Sequence, residues 1–494
     1  MITHVYDFLE KSALKYKDKI LFYEDNKSIS YKDFDLLCKQ LSSKLLELNI
    51  YNSSVLIILP KSIDCLAGFF GVALSGNFYT LLDENTPIDR IKVVADVLKP
   101  KIIISDKELD LNIPQISPKD FSSFNVNNKL IEQARQKHID TNLLYVLFTS
   151  GSTGTPKGAS ISHKSVIDYT FWVEKTFDIK EDEVLANQSP FYFDNSILDI
   201  FTTIKAGASL HLIKNNLFAF PNKVLSYIQE HKVSMIFWVP SVLIYFANTN
   251  ALSKFDLSNL KKVLFAGEIM PNKQLNIWRN HLKDALFANL YGPTEITDVC
   301  AYYIVNRNFK DDELLPIGKA CKNTELLVFD ENMKLITKPY QKGELYVRGT
   351  GLSLGYFANK EKTNEAFIQN PLHDNYQDMV YKTGDVVAYN EFDELLCYGR
   401  ADNQIKFMGH RIELGEIESV VGGGNLVMNN ACIFKDNQII CFYQATNEIP
   451  LKEYLLSKLP PYMVPKVFIR VDEFKLNANG KIDRKVLQNY EPNK

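Results

Sequence analysis

The stretch LFTSGSTGTPKG, Leu147 to Gly158, is the one on which the reading of the chain turns. Ahead of it, Leu143, Leu144, Tyr145, Val146 and Leu147 form a short apolar run of β character, and Ala159 to His163 behind it returns to small and apolar residues. The stretch is therefore expected to be a loop between two strands. It holds three glycines, five hydroxyl side chains and one lysine. Glycine lets a backbone turn tightly and present N–H groups to an anion, while hydroxyls and a lysine add donors and charge. That is the composition of a phosphate cradle. It is not a Walker loop, which needs Gly-Lys-Ser/Thr with the lysine opening a helix. Pro156 before Lys157 and Gly158 after it argue against an immediate helix. Composition alone favours the plainer alternative, a flexible Gly/Ser turn.

The rest of the chain bounds what such a loop can belong to. Its 494 residues suit one large and one small domain, or about three average ones. Hydrophobic residues at 46% and charged residues at 23% are ordinary for a soluble globular protein. Lys and Arg number 56 against 59 Asp and Glu, a net charge of −3, so nothing implies nucleic acid or an anionic membrane surface. The seven cysteines are scattered with no C-x-x-C pair, which reads as reduced thiols in a cytoplasmic protein. The eight histidines are equally dispersed and suggest no zinc site. No secretory signal opens the chain, and its longest apolar runs, such as Cys65 to Leu74, are too short for membrane insertion.

Residues 3 to 17 place Val5, Phe8, Leu9 and Ala13 at helical spacing, and Tyr31 to Leu48 reads as a second helix. Val55 to Leu59 is a buried strand, Ile63 to Gly76 an apolar helix, Tyr79 to Leu82 a strand, Pro87 to Leu98 a helix and Ile102 to Ile104 a strand. This alternation argues for a parallel sheet with helices on both faces. The opening third shows no chemistry and reads as scaffold. Met235 to Val239, Val263 to Glu268 and Gly343 to Gly349 are further strand-like runs, and Pro460 to Pro465 reads as a rigid linker. Chemistry-bearing residues gather in short strings: PFYFDNS at 190–196, NLYGPTE at 289–295, YKTGD at 381–385, YGRAD at 398–402 and NANGKIDR at 477–484. Each has a plain reading. Asp194 suits a helix N-cap, Gly292-Pro293 a turn, and Lys481 a solvated lysine after an Asn-Gly turn.

In this order and spacing the strings resemble the adenylate-forming superfamily, which includes acyl-CoA synthetases, peptide-synthetase adenylation domains and luciferases. Ser-Gly-Ser-Thr-Gly-x-Pro-Lys-Gly at 150–158 is a specific match, and the resemblance covers the full chain. Phe193-Asp194-x-Ser196 and Gly399-Arg400-x-Asp402-x-Gln404-Ile405-Lys406 bring it nearest to free-standing D-alanine–carrier protein ligases and to peptide-synthetase adenylation domains. The resemblance implies an α/β fold. A large N-terminal domain, residues 1–402, would hold helix-flanked, mostly parallel sheets, and residues 403–494 would form a small, mobile α+β C-terminal domain. It implies ATP and Mg2+. Thr149, Ser150, Gly151, Ser152, Thr153, Gly154 and Lys157 would hold phosphates. Gly267, Glu268, Asn289, Leu290, Gly292 and Pro293 would line the nucleotide site. Tyr291 would stack on adenine with Asn289 at its amino edge, and Thr294 would meet the α-phosphate. Glu295 would ligate magnesium, as an oxygen donor suits a hard cation. Asp385 would accept both ribose hydroxyls, and Tyr398, Gly399 and Arg400 would lie at ribose or phosphate. Asp402 would be the hinge, and Lys481 the catalytic lysine at the reacting atoms.

In amino-acid-activating relatives the aspartate matching Asp194 pairs with the substrate α-ammonium, and relatives that take fatty or aryl acids lack an acid there. The side-chain pocket carried over by position is Asp194, Asn195, Leu198, Trp238, Leu264, Ala266, Leu290, Asp298 and Val299. Asp298 stands where D-alanine ligases are apolar. If it faces the pocket, it calls for a small or medium polar side chain; otherwise it caps or pairs with a neighbouring element. Three departures stand out. His410 replaces a more usual aromatic ring, Gly422-Gly423-Gly424 stands in place of a helical segment, and no carrier domain follows Arg484. The expected function is ATP-dependent activation of an amino acid to aminoacyl-AMP, then transfer to the phosphopantetheine thiol of a separate carrier protein. The rivals are an acyl-CoA or aryl-acid synthetase of the same fold and an inert nucleotide-binding homologue.

Overall fold

The computed structural model describes residues 2–149, 156–400, 404–423, 426–475, 482 and 484–490. A six-stranded sheet runs in the order Gln115–Ile116, Ile102–Ser105, Ser54–Ile58, Phe78–Leu82, Leu143–Thr149, Lys157–Ser162. All its pairings are parallel except the last, in which Thr149 faces Lys157 across an antiparallel ladder. Lys157 therefore opens a strand and not a helix. Ser54–Ile58 is buried along its whole length, as an apolar strand in the middle of a parallel sheet must be.

A nine-stranded sheet follows the order Lys319–Ala320, Ala301–Ile304, Leu286–Tyr291, Lys262–Ala266, Met235–Trp238, Val184–Asn187, Ser209–Leu212, Ile20–Glu24, Lys27–Ser30. Leu286–Tyr291 through Ile20–Glu24 are all parallel. The two sheets share one core with the helices Tyr31–Glu47, Ile63–Leu74, His163–Phe177 and Ser196–Ala206. Within it Phe22, Phe34, Phe70 and Phe201 meet ring to ring at 4.9–5.9 Å. Ile63–Leu74 is apolar on nearly every face, which fits a helix enclosed on all sides. Ser30 and Ser62 cap the two helices that follow them by accepting from the N–H groups of Asp33 and Cys65. The outer face of the nine-stranded sheet is covered by Pro221–Glu230, Pro240–Asn248 and Asn272–His281 around Trp238 and Trp278. Ile88–Leu98 covers the outer face of the six-stranded sheet.

An antiparallel sheet of Thr324–Phe329, Gly343–Gly349, Phe367–Gln369, Met379–Tyr389 and Leu395–Arg400 comes next. Beyond it lie the hairpin Gln404–Phe407/His410–Glu413, the helix Leu414–Gly423, and a three-stranded sheet of Asn429–Lys435, Gln438–Gln444 and Val467–Arg470. The two cores of this last region are built wholly from residues after 403. The hairpin turns at Met408 (φ 52°) and Gly409 (φ 79°), a pair of left-handed residues typical of two-residue hairpin loops.

Two expectations are corrected here. Gly422 and Gly423 do not replace a helix; they end the one that begins at Leu414. Each glycine costs a helix about 1 kcal/mol, and the burial of Ile417 and Val421 anchors this one. Pro460 to Pro465 is no free linker: Met463 is buried and the Tyr462 ring stacks on His410.

Candidate active site

Loops leaving the carboxyl ends of three parallel strands converge on one cleft. Val184–Asn187 leads to Tyr192–Asn195, Lys262–Ala266 to Gly267, and Leu286–Tyr291 to Gly292–Thr294. Such crevices are where open α/β sheets bind ligands. Thr149 reaches the cleft from the six-stranded sheet, Asp385 and Arg400 from the antiparallel sheet, and Gln404, Lys406, Gly409 and Arg411 from the hairpin.

A linked polar set lies beside the cleft, and of it Asp385, Arg400 and Lys406 border the cleft while Tyr291, Asn289 and Lys157 stand behind them. The Tyr291 hydroxyl donates to Asp385. Arg400 Nη1 lies 3.5 Å from Asp385 and donates to the Thr383 carbonyl at 2.8 Å. Lys406 Nζ stands 5.4 Å from the centre of the Tyr291 ring, a cation–π arrangement. The Asn289 amide donates to the Pro316 carbonyl at 2.8 Å, which fixes its orientation. Lys157 lies 5.6 Å from the Tyr356 ring, and burial lowers its pKa.

Asp194 does not cap Ser196–Ala206, whose N-terminus has no side-chain cap. Its Oδ1 accepts from the N–H of Asn195 at 3.1 Å, and Thr294 also hydrogen-bonds the carboxyl. The residue keeps a face open to the cleft, yet burial still raises its pKa, with Thr294 pulling the other way. It forms no ion pair among the described residues. Asp298 is buried at φ 71°, in a three-residue turn closed by Val299 N–H on the Thr297 carbonyl at 3.0 Å. Its Oδ2 accepts from the Tyr169 hydroxyl at 2.6 Å. Burial, then the charge of Asp194, raises its pKa well above the usual range. Gly292 permits this arrangement, since a Cβ there would lie 2.3 Å from the Asp298 carbonyl oxygen.

Glu295 is fully buried. Oε1 accepts from the Tyr356 hydroxyl at 2.7 Å and Oε2 from Arg411 Nη1 at 2.6 Å. Burial acts most strongly, to raise its pKa, but the Arg411 charge together with the hydrogen bonds from Tyr356, Arg411 and its own backbone outweighs burial, and the net shift is downward. Glu268 accepts from the N–H groups of Ser241 at 2.9 Å and Gly409 at 3.0 Å.

Several expected residues fall elsewhere. Trp238 points away from the pocket: its indole N–H donates to the Ala186 carbonyl, and its ring packs edge-on against Phe218 and Phe246 on the outer face of the sheet. A strand alternates its faces, so the neighbour Phe237 is the residue that joins Leu198, Leu264, Ala266, Leu290 and Val299 in the inner core. Of the expected side-chain pocket, Asp194 and Asn195 line the cleft itself. The Tyr398 ring is partly exposed under Lys342, 4.0 Å away, and neither it nor Gly399 borders the cleft. Ser150, Gly151, Ser152, Thr153, Gly154, Asp402 and Lys481 lie outside the described residues.

Arg90, Tyr192, Arg411 and Tyr462 line the cleft without having been singled out in the sequence, and Lys406, quoted there within the string 399–406, lines it without having been given a role. For Lys406 and Arg411 a signal existed. They pair across the hairpin, so strand alternation puts both on one face with Gln404. His4, His138 and His163, dispersed in sequence, also converge, close enough in ligand-atom spacing to hold an ion. Backbone groups engage several of their nitrogens: the Tyr6 N–H donates to His4 Nδ1, His4 Nε2 donates to the Ala73 carbonyl, the Val5 N–H donates to His163 Nδ1, and His138 Nε2 lies 3.3 Å from the Thr3 carbonyl. The cluster braces the N-terminal segment.

The AMP-binding enzyme family matches residues 9–357, and the chain belongs to that family. It is 31% identical to zwittermicin A synthase ZmaJ of Bacillus cereus over 99% of this chain and 95% of that protein. It is 32% identical to bacitracin synthase 1 of Bacillus licheniformis over 98% of this chain, but spans only 9% of that protein. The adenylation domain AlmE of Vibrio cholerae, solved with glycyl-adenosine-5'-phosphate, superposes with a TM-score of 0.86 at 21% identity, covering 99% of this chain and 98% of that one.

Proposed function

We propose that the protein activates an α-amino acid. A carboxylate oxygen of the amino acid attacks the α-phosphorus of ATP, the bond to the β-phosphate oxygen breaks, and aminoacyl-AMP and pyrophosphate form. The attacking group is already ionised, so no general base is needed. Positioning and charge stabilisation carry the catalysis. Asp385, with Tyr291 and Arg400 beside it, is placed for the ribose, and Thr294 and Lys157 for phosphate. Glu295 fits a magnesium ion: it is a buried carboxylate that already holds a cation, the Arg411 guanidinium. Mg2+ bound there would neutralise phosphate charge. Lys481 is proposed to reach the reacting atoms, with Asp402 as the hinge between residues 1–402 and the small domain.

The observation that carries the amino-acid reading is Asp194, a carboxylate on the cleft with no ion pair among the described residues. An α-ammonium supplies the missing charge-assisted bond. A fatty or aryl acid would leave that carboxylate without a cation. Asp194→Ala is expected to raise KM for every amino acid alike, measured as acyl-AMP formation by mass spectrometry. An effect confined to one side chain would count against this role.

The finer reading of the substrate rests on Asp298. Asp298 does not border the cleft, and Tyr169 satisfies one of its oxygens; the reading has the substrate side chain enter beyond Asp194 and donate to the other. With Phe237 on the inner face, this supports a small or medium polar side chain over D-alanine. The proposed acceptor is the phosphopantetheine thiol of a carrier protein, and the supply of ATP places the work in the cytoplasm.

A further inference from the structure

Glu295 has both oxygens occupied, and its two donors differ in origin. Tyr356 belongs to the same large region as Glu295. Arg411 arrives on the hairpin Gln404–Glu413, and it reaches Glu295 only while that hairpin is docked. The same hairpin donates Gly409 N–H to Glu268 at 3.0 Å. His410 stacks on Tyr462 at 3.6 Å and meets Phe193 edge-on at 4.5 Å. Two ion pairs further out, Arg90 with Glu416 and Lys458 with Asp89, hold the same pose. The guanidinium sits on one oxygen and the phenol on the other, and a divalent cation brought to the same buried carboxylate would be repelled by the guanidinium already there. Yet a buried carboxylate with no cation is costly. Whichever cation leaves, the other is favoured to arrive.

We propose that Arg411 is the counter-cation that holds Glu295 when Mg2+ is absent and yields it when Mg2+-nucleotide enters, so that the docked hairpin and the metal-loaded site exclude each other. The inference rests on reading Glu295 as the metal carboxylate. Arg411 is then a positioning residue. It ties docking of the small region to departure of the metal with pyrophosphate, and it keeps the carboxylate paired throughout.

The test uses the full chain with spin labels at Phe220→Cys and Met428→Cys, both exposed and outside the cleft. The interlabel distance is measured with and without Mg2+ and α,β-methylene-ATP, and binding of the analogue is followed by calorimetry. The wild type is expected to show a predominant docked distance without metal, about two-thirds or more of the population, and to lose it with Mg2+-analogue. Arg411→Ala is expected to lose the docked distance without any ligand. It should bind Mg2+-analogue at least about threefold tighter, the gain expected when roughly two-thirds of the free protein is docked. Arg411→Lys, which keeps the charge without the fork, should fall between the two and serves if the alanine variant does not fold. An arginine that simply held phosphate would give the opposite sign. Weaker or unchanged binding in Arg411→Ala, or a docked distance that survives saturating Mg2+-analogue, overturns the proposal. Glu295→Gln separates the two readings. If Mg2+ dependence persists in it, the metal reading falls and the exchange with it; if Mg2+ dependence vanishes but Arg411→Ala gains nothing, only the exchange falls.

Discussion

Asp194 and Asp298 show how two carboxyls in one region take different parts. Each is pushed up by burial; the charge of Asp194 adds to the cost of ionising Asp298, and that of Glu295 to the cost of ionising Asp194. Asp194 keeps an open face, while Asp298 is closed in with a single donor, Tyr169. The consequence for stability has a definite sign. The pKa of Asp298 in the folded protein lies above its unfolded value of about 3.9. The folded state therefore holds the proton more tightly, and stability is lost as pH rises through the folded pKa. Asp298→Asn keeps an acceptor for Tyr169 and removes the charge. Its melting temperature relative to wild type should improve more at pH 8 than at pH 5. A difference that is flat with pH, or that grows toward acid, would contradict the assignment. Asp298 was legible in the sequence as an odd acid in an apolar set. Its partner was not, because Tyr169 lies 129 positions away and only the fold brings the two together.

At the scale of single elements, composition located the strands but not always their faces. Met235 to Trp238 was recognisable as a buried strand from its apolar run. Both of its faces are buried, so no polar residue marks which side turns inward, and a position carried over by counting can slip by one. The pairing of Phe237 with Leu264 and of Trp238 with Phe265 settles the parity. Phe237→Ala should open the inner side and admit larger amino acids, seen as a broadened substrate range in the exchange assay. Trp238→Phe should leave that range unchanged. It should cost about 1–3 kcal/mol, from a lost indole hydrogen bond and lost packing, measured by denaturant unfolding. A substrate shift in Trp238→Phe with none in Phe237→Ala would reverse the assignment. The helix ending at Gly423 was hidden for a related reason. Glycines read as breakers, but this helix is held from its buried face and can afford them at its end.

For the whole molecule, the two large sheets were foreseeable because alternating strands and helices leave few other ways to bury their faces. Of the described motif residues, Thr149, Asp194, Gly267, Gly292, Pro293, Thr294, Asp385 and Arg400 line one cleft, while Lys157, Glu268, Asn289, Tyr291, Glu295, Tyr398 and Gly399 do not border it. What no local pattern could announce was the docking of the last region, since it depends on pairs such as Arg90 with Glu416, 326 positions apart. The central claim is that this cleft joins an α-amino acid to AMP. The most direct measurement is ATP–pyrophosphate exchange by the wild-type chain. A panel of amino acids, including serine, asparagine and both alanines, would be set against matched acids without the α-ammonium, such as lactate, and against fatty and aryl acids. The account predicts exchange with one or more polar α-amino acids and none with the matched acids. Exchange driven equally well by acids without the ammonium, or by fatty or aryl acids alone, would contradict it.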